Sequence, residues 1–164
     1  MKYTTTVALM LCFTVLSSPA YAQPTSTYLN NRYGYSITYP KTLLTPQAPS
    51  PNGDGIALHN KQGKERLRCW ATLNSNADAM PNTIQQEYTI RAKEYTTNGA
   101  TVTYKRCTAT FFVLSGITEQ GFNYYLKVIP IAEPNAYASV LFTYPNTEKK
   151  IWQPQIKPIG TSFK

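Results

Sequence analysis

Three aromatic and β-branched runs, Ala109–Ser115, Phe122–Ile129 and Tyr137–Tyr144, dominate residues 101–145. A Gly- or Pro-containing break separates each from the next, the composition of successive antiparallel strands. Alternation assigns their faces. Phe111 and Val113 oppose Phe112 and Leu114, while Phe122, Tyr124, Leu126 and Val128 oppose Asn123, Tyr125 and Lys127. The first run is apolar on both faces, which predicts a central strand covered on each side.

The remaining elements follow in order. Gln23–Asn31 is polar and reads as a loose lead-in. In Tyr33–Pro40, the residues Tyr35, Ile37 and Tyr39 share one face, and Pro40 ends the ladder because it lacks an amide donor. Lys41–Asp54 carries Pro46, Pro49 and Pro51 and closes in Asn52-Gly53-Asp54-Gly55, a long exposed loop ending in a tight turn. Ile56–His59 and Leu67–Leu73 predict a hairpin across Asn60–Lys64, with Leu67, Cys69, Ala71 and Leu73 on one face and Arg68, Trp70 and Thr72 on the other.

Asn74–Pro81 reads as a linker. A helix over Thr83–Thr97 follows, capped by Asn82 with Gln85 as its partner and stopped by Asn98-Gly99. Its apolar stripe is Ile84, Tyr88, Ala92 and Tyr95. Val102–Cys107 resumes strand character. Glu148–Ile159 has apolar residues at near-helical spacing, but Pro154 and Pro158 predict a short or broken helix.

The first residues change the picture of where the chain works. Lys2, the apolar run Val7–Leu16 and Ala20-Tyr21-Ala22 form the three regions of a secretory signal peptide, cleaved between Ala22 and Gln23. A helix of that run would span about 15 Å, half of a bilayer core, so it is too short for an anchor. Cys12 lies inside the run and not at its end, which argues against lipidation. Removing residues 1–22 from a chain of 164 leaves 142, enough for one domain, 23–164, with its own core. The net charge of +8 falls by Lys2 alone to +7. The expected location is therefore periplasmic or secreted. Dispersed basic residues and export argue against nucleic acid as a partner.

Two cysteines, Cys69 and Cys107, remain in an exported chain, which predicts one disulfide between them. They lack the CxxC spacing of a metal or redox site, and His59 is the single histidine. The acids Asp54, Glu65, Asp78, Glu87, Glu94, Glu119, Glu133 and Glu148 are dispersed, with no metal-ligand spacing and no Gly-x-Ser-x-Gly elbow. No metal, cofactor or catalytic residue is expected.

Tyr33-Gly34-Tyr35-Ser36-Ile37-Thr38-Tyr39-Pro40 resembles the opening strand of PsbP-like proteins, an aromatic-Gly-aromatic-Ser-Ile run ending in Tyr-Pro. Asn52-Gly53-Asp54-Gly55, Ser115-Gly116, Tyr125-x-Lys127, Tyr144-Pro145 and Ser162-Phe163 are similar to exported bacterial proteins of that type. The resemblance implies an α+β fold, an α/β/α sandwich with a central antiparallel sheet, which agrees with the order of elements above. It also implies a non-catalytic protein. Photosystem accessory subunits, a Ran-binding factor and bacterial secretion adaptors use this fold to bind other proteins, and the family offers no catalytic residues to carry over.

The positive candidates are binding surfaces. Lys64, Arg66, Arg68 and Trp70 would share one strand face of the hairpin, and Asp54 stands in the neighbouring loop turn, where an aspartate also serves simply to form the turn. A cationic, aromatic face suits an acidic envelope or secreted protein, an anionic glycan or a lipid head group. The same charges can also do no more than solvate an outer face. The expected function is an exported, non-catalytic binding or accessory module of the bacterial envelope. The rivals are an immunity protein neutralising a periplasm-acting toxin and a small cell-wall hydrolase using His59.

Overall fold

A computed structural model describes residues 23–74 and 82–164. The expected signal peptide and most of the expected linker lie outside the described residues. The strands are β1 (Thr25–Asn30), β2 (Tyr35–Pro40), β3 (Thr45–Pro46), β4 (Gly55–His59), β5 (Glu65–Leu73), β6 (Thr101–Cys107), β7 (Phe112–Ile117), β8 (Phe122–Ile131) and β9 (Ala136–Pro145). Helix α1 spans Ile84–Thr97 and α2 spans Lys149–Ser162. β1 and β2 pair as a separate hairpin, and the other seven strands form an antiparallel sheet in the order β3-β4-β5-β9-β8-β7-β6.

Two apolar layers hold these elements together. On one face of the sheet, Val140 and Phe142 of β9, Leu67 and Cys69 of β5 and Leu58 of β4 meet β2 and α2. Tyr35, Ile37 and Tyr39 supply the hairpin side, and Trp152, Ile159 and Phe163 the helix side. On the other face, Phe112, Leu114, Tyr124, Leu126, Val128 and Tyr137 pack against Ile84, Tyr88, Ala92 and Tyr95 of α1. The predicted helix stripe and the predicted face of β8 are thus the two sides of one interface. The sheet lies between α1 and a layer made of α2 with the hairpin, the mixed sandwich expected.

Several local expectations need correction. The polar lead-in is β1, whose residues pair with β2 from Thr25↔Pro40 to Asn30↔Tyr35. The cap of α1 is Thr83 and not Asn82. Its side chain accepts from the Gln86 amide while the Gln86 side chain accepts from the Thr83 amide, a capping box one residue later than predicted. Gly99 stops the helix as expected, with φ at +74°, a conformation costly for residues with a Cβ. The central strand covered on both faces is β9, with Ala136 to Val140 all buried. β7 is also covered on both faces, at Phe112, Val113 and Leu114, but it lies next to the edge strand β6 and not at the centre.

α2 is continuous through Pro154 and Pro158. Both prolines are exposed and four residues apart, so they share the wet side of the helix. The carbonyls they leave without an amide donor, those of Lys150 and Pro154, can be met by water there. The buried side is held by Trp152 and Ile159.

The disulfide between Cys69 and Cys107 does not form, and both thiols are free. Three strands, β9, β8 and β7, separate β5 from β6. Four interstrand steps of about 4.8 Å put the two strands on the order of 19 Å apart. A disulfide needs Cα atoms within about 7 Å. The residues also face opposite layers, Cys69 toward α2 and Cys107 toward α1. Burial pushes the Cys69 thiol up to about 12, and its Sγ lies 3.9 Å from the Ile56 carbonyl oxygen.

Candidate functional site

α1 packs on β6 and β7 and leaves the same sheet face open over β4 and β5. Register defines the floor there. Ala57 pairs with Arg68, Arg68 with Leu141, and Gly55 with Trp70, so these residues point to one side. The loop containing Ala48, Ser50, Asn52 and Asp54 forms a wall beside them. The concavity between wall and floor has a volume of about 710 Å³.

The loop is fixed by its own bonds and by the hairpin behind it. The Gly53 amide donates to the Ser50 carbonyl at 2.9 Å, and the Ala71 amide donates to the Asp54 carbonyl at 3.0 Å. Tyr35 Oη donates to that Asp54 carbonyl at 2.8 Å, and Asn30 Nδ2 donates to the Gly53 carbonyl at 3.0 Å. The Arg32 guanidinium reaches the Asn52 carbonyl. β2 therefore does more than fill the core; through Tyr35 it sets the height of the wall. Gly55 follows directly. A Cβ there would stand 2.1 Å from the Cys69 carbonyl oxygen, so the close approach of β4 to β5 requires glycine.

Asp54 turns its carboxylate back into the loop. Ser50 Oγ donates to Oδ1, and Asn52 Nδ2 donates to Oδ2 at 2.8 Å. Both donors are neutral. On the floor, Arg68 is held by Glu65, Nε to Oε1 at 2.9 Å and Nη2 to Oε2 at 2.7 Å. This carboxylate, as acceptor and as opposite charge, raises the affinity of Arg68 for its proton.

Of the residues predicted for binding, Asp54, Arg68 and Trp70 meet in this concavity, and Lys64 and Arg66 do not line it. Lys64 is exposed in the hairpin turn. Arg66 is displaced by a bulge: Leu58 pairs with Leu67 while His59 pairs with Glu65, so Arg66 is the extra residue. It crosses to the α2 layer, where it is 7% exposed and paired with Glu148. The expected cationic face is thus lost. Its remaining arginine is neutralised by Glu65, and Asp54 adds a negative charge.

Sequence reasoning missed Glu65, Ser50, Asn52 and Leu141. The spacing of Glu65 and Arg68 was a readable signal, whereas Leu141 enters only through the pairing of β5 with β9. His59 is half-buried, stands opposite Glu65 and lies outside the concavity. Among the described residues, no three His, Cys, Asp or Glu side chains come together to hold a metal ion. No helix among them is long and apolar enough to cross a membrane.

No family model and no curated protein sequence matches the chain. Solved structures do. The solution structure of the cyanobacterial PsbP of Synechocystis sp. PCC 6803 superposes with a TM-score of 0.59 at 9% identity, covering 90% of this chain and 95% of that one. The fold is PsbP-like. The Ran-binding protein Mog1p of Saccharomyces cerevisiae has the same architecture, with a TM-score of 0.55 at 6% identity, covering 87% of this chain and 96% of that one. At such identities the PsbP-like likeness reaches the path of the backbone and not the side chains of the concavity.

Proposed function

We propose that the protein is an exported, non-catalytic binding module of the bacterial envelope that docks another envelope or secreted protein on the open face of β4 and β5. The observation that carries this reading is the concavity itself. It has an apolar floor of Ala57, Trp70 and Leu141, a charged pair beside it and a braced loop for a wall. An aromatic anchor within a polar rim is the arrangement of a docking surface. The Ran-binding role of Mog1p supports protein binding in general. Export rests on the N-terminal pattern of the sequence. The polar side chains around the floor are engaged in fixing the loop and each other, which suits recognition better than turnover.

A photo-crosslinking amino acid tests this directly. Placed at Ala48 or Ala57, it should capture one partner from the intact envelope, while the same group at Ile151, exposed on α2, should not. Equal capture at all three positions, or capture only at Ile151, would remove the proposal.

A further inference from the structure

The charge of the concavity is opposite to that of the molecule. The chain as a whole carries +8. The charged side chains lining this site are Asp54, Glu65 and Arg68, two acids and one base. Arg68 and Glu65 form a bidentate pair and cancel each other. The Asp54 carboxylate is left with a full negative charge, accepting only from Ser50 and Asn52, both neutral. Arg32, the base nearest in this loop's bonding, works from behind: its guanidinium lies over the Tyr33 ring at 5.1 Å, donates to the Asn52 carbonyl and does not line the cavity.

Trp70 lines the same concavity. Gly55, the neighbour of Asp54, is its cross-strand partner. A carboxylate and an indole lining one concavity with apolar Ala57 and Leu141 are chemistry for a cation carried on an apolar stem. An anion would meet the negative carboxylate and find Arg68 already engaged.

Building on the docking reading above, we propose that the concavity receives a cationic side chain, lysine or arginine, projecting from the partner protein, with Asp54 as counter-ion and Trp70 as the surface beneath its stem. The occupant is basic, the reverse of the acidic partner that the hairpin's composition suggests. The rest of the surface, with its excess of positive charge, would then resist a broadly basic partner. Selectivity follows: one projecting cation on an otherwise neutral or acidic surface fits, and a polycation does not.

The test is an amide chemical-shift titration of the exported protein. N-acetyl-arginine N-methylamide should move the Gly55, Arg68 and Trp70 signals. The citrulline analogue, equal in shape and uncharged, should bind at least tenfold more weakly, and the glutamate analogue should not move them. Asp54→Asn, which keeps bonds to Ser50 and Asn52 within reach, should weaken the arginine probe about tenfold at low salt. Equal response to citrulline and arginine, or an unchanged Asp54→Asn variant, would overturn the inference. The photo-crosslink separates this from the docking reading. Capture at Ala48 through an acidic or wholly apolar partner segment ends the cation inference and leaves docking standing. Arginine binding without any captured partner ends docking and leaves the cation site standing.

Discussion

Arg66 on β5 and Glu148 ahead of α2 form a bidentate ion pair, Nε to Oε2 at 2.9 Å and Nη2 to Oε1 at 2.7 Å. Trp152 Nε1 donates to the same Oε2, and Arg66 also reaches the Glu65 carbonyl at 2.9 Å. The bulge that removes Arg66 from the candidate site thereby fastens α2 to the sheet. Replacing Arg66 with alanine should cost about 3 kcal/mol, because Glu148 and the Trp152 end of the helix lose a largely desolvated partner. Arg68→Ala, at a pair whose side chains are 56% and 35% exposed, should cost less than about 1 kcal/mol. Urea unfolding of the two variants measures the contrast; equal losses would refute the different roles given to neighbouring arginines.

The same pair predicts an acid limb in stability. Hydrogen bonding to Arg66 is the largest influence on Glu148 and holds its carboxyl below the usual glutamate range, with the Trp152 bond acting in the same direction and partial burial opposing it. A carboxyl with a depressed folded-state value stabilises fully above its unfolded value, near 4.5, and loses that contribution as pH falls through the lower folded value. Glu148→Gln should therefore lower stability at neutral pH and flatten its decline below about pH 4.5. Denaturant midpoints measured from pH 7 to pH 3 check this, and parallel curves for the two proteins would count against it.

Both thiols should remain free under oxidising conditions. A thiol-specific reagent should label two cysteines in a denatured protein of residues 23–164, and only Cys107 within minutes in the native one. Cys69 is fully buried and burial raises its value to about 12, which leaves almost no thiolate at neutral pH. Cys107 is partly exposed on the edge strand. An intramolecular disulfide found by mass spectrometry would contradict the strand order as well as the thiol assignment.

What was legible in the sequence is what depends on local pattern. The alternation of Tyr124, Leu126 and Val128 against Tyr125 and Lys127 reads through to the two faces of β8, because a central strand has no freedom to slip once both faces are committed. The stripe of α1 reads for the same reason. β1 did not read, since it is the outer strand of its hairpin and mostly exposed, while β2 carries the buried Tyr35, Ile37 and Tyr39. The disulfide was misjudged because counting cysteines says nothing about strand order, and β9 inserts between β5 and β8 from the far end of the chain. The candidate site was half legible: Asp54, Arg68 and Trp70 stand out by residue type, but a one-residue bulge at Arg66 reverses the charge of the face they share, and alternation alone cannot show a bulge.

Lys127 carries the last prediction. Its Nζ donates to the carbonyls of Gly160 at 2.7 Å and Phe163 at 3.0 Å, and lies 5.4 Å from the centre of the Phe111 ring. It thus caps the C-terminal end of α2, where carbonyls lack amide partners and the helix dipole favours a cation. Desolvation lowers its affinity for a proton. Just beyond, Ser36 and Lys164 exchange backbone hydrogen bonds at 2.7 and 3.2 Å, so this end of the helix also locates β2 and, through Tyr35, the wall of the candidate site. Lys127→Met keeps the apolar stem and removes the donors. It should destabilise by about 2 kcal/mol and increase amide hydrogen exchange at Phe163, Lys164 and Ser36 before it affects α1. Uniform acceleration across both helices would show that Lys127 supports the fold as a whole and does not act as a local cap.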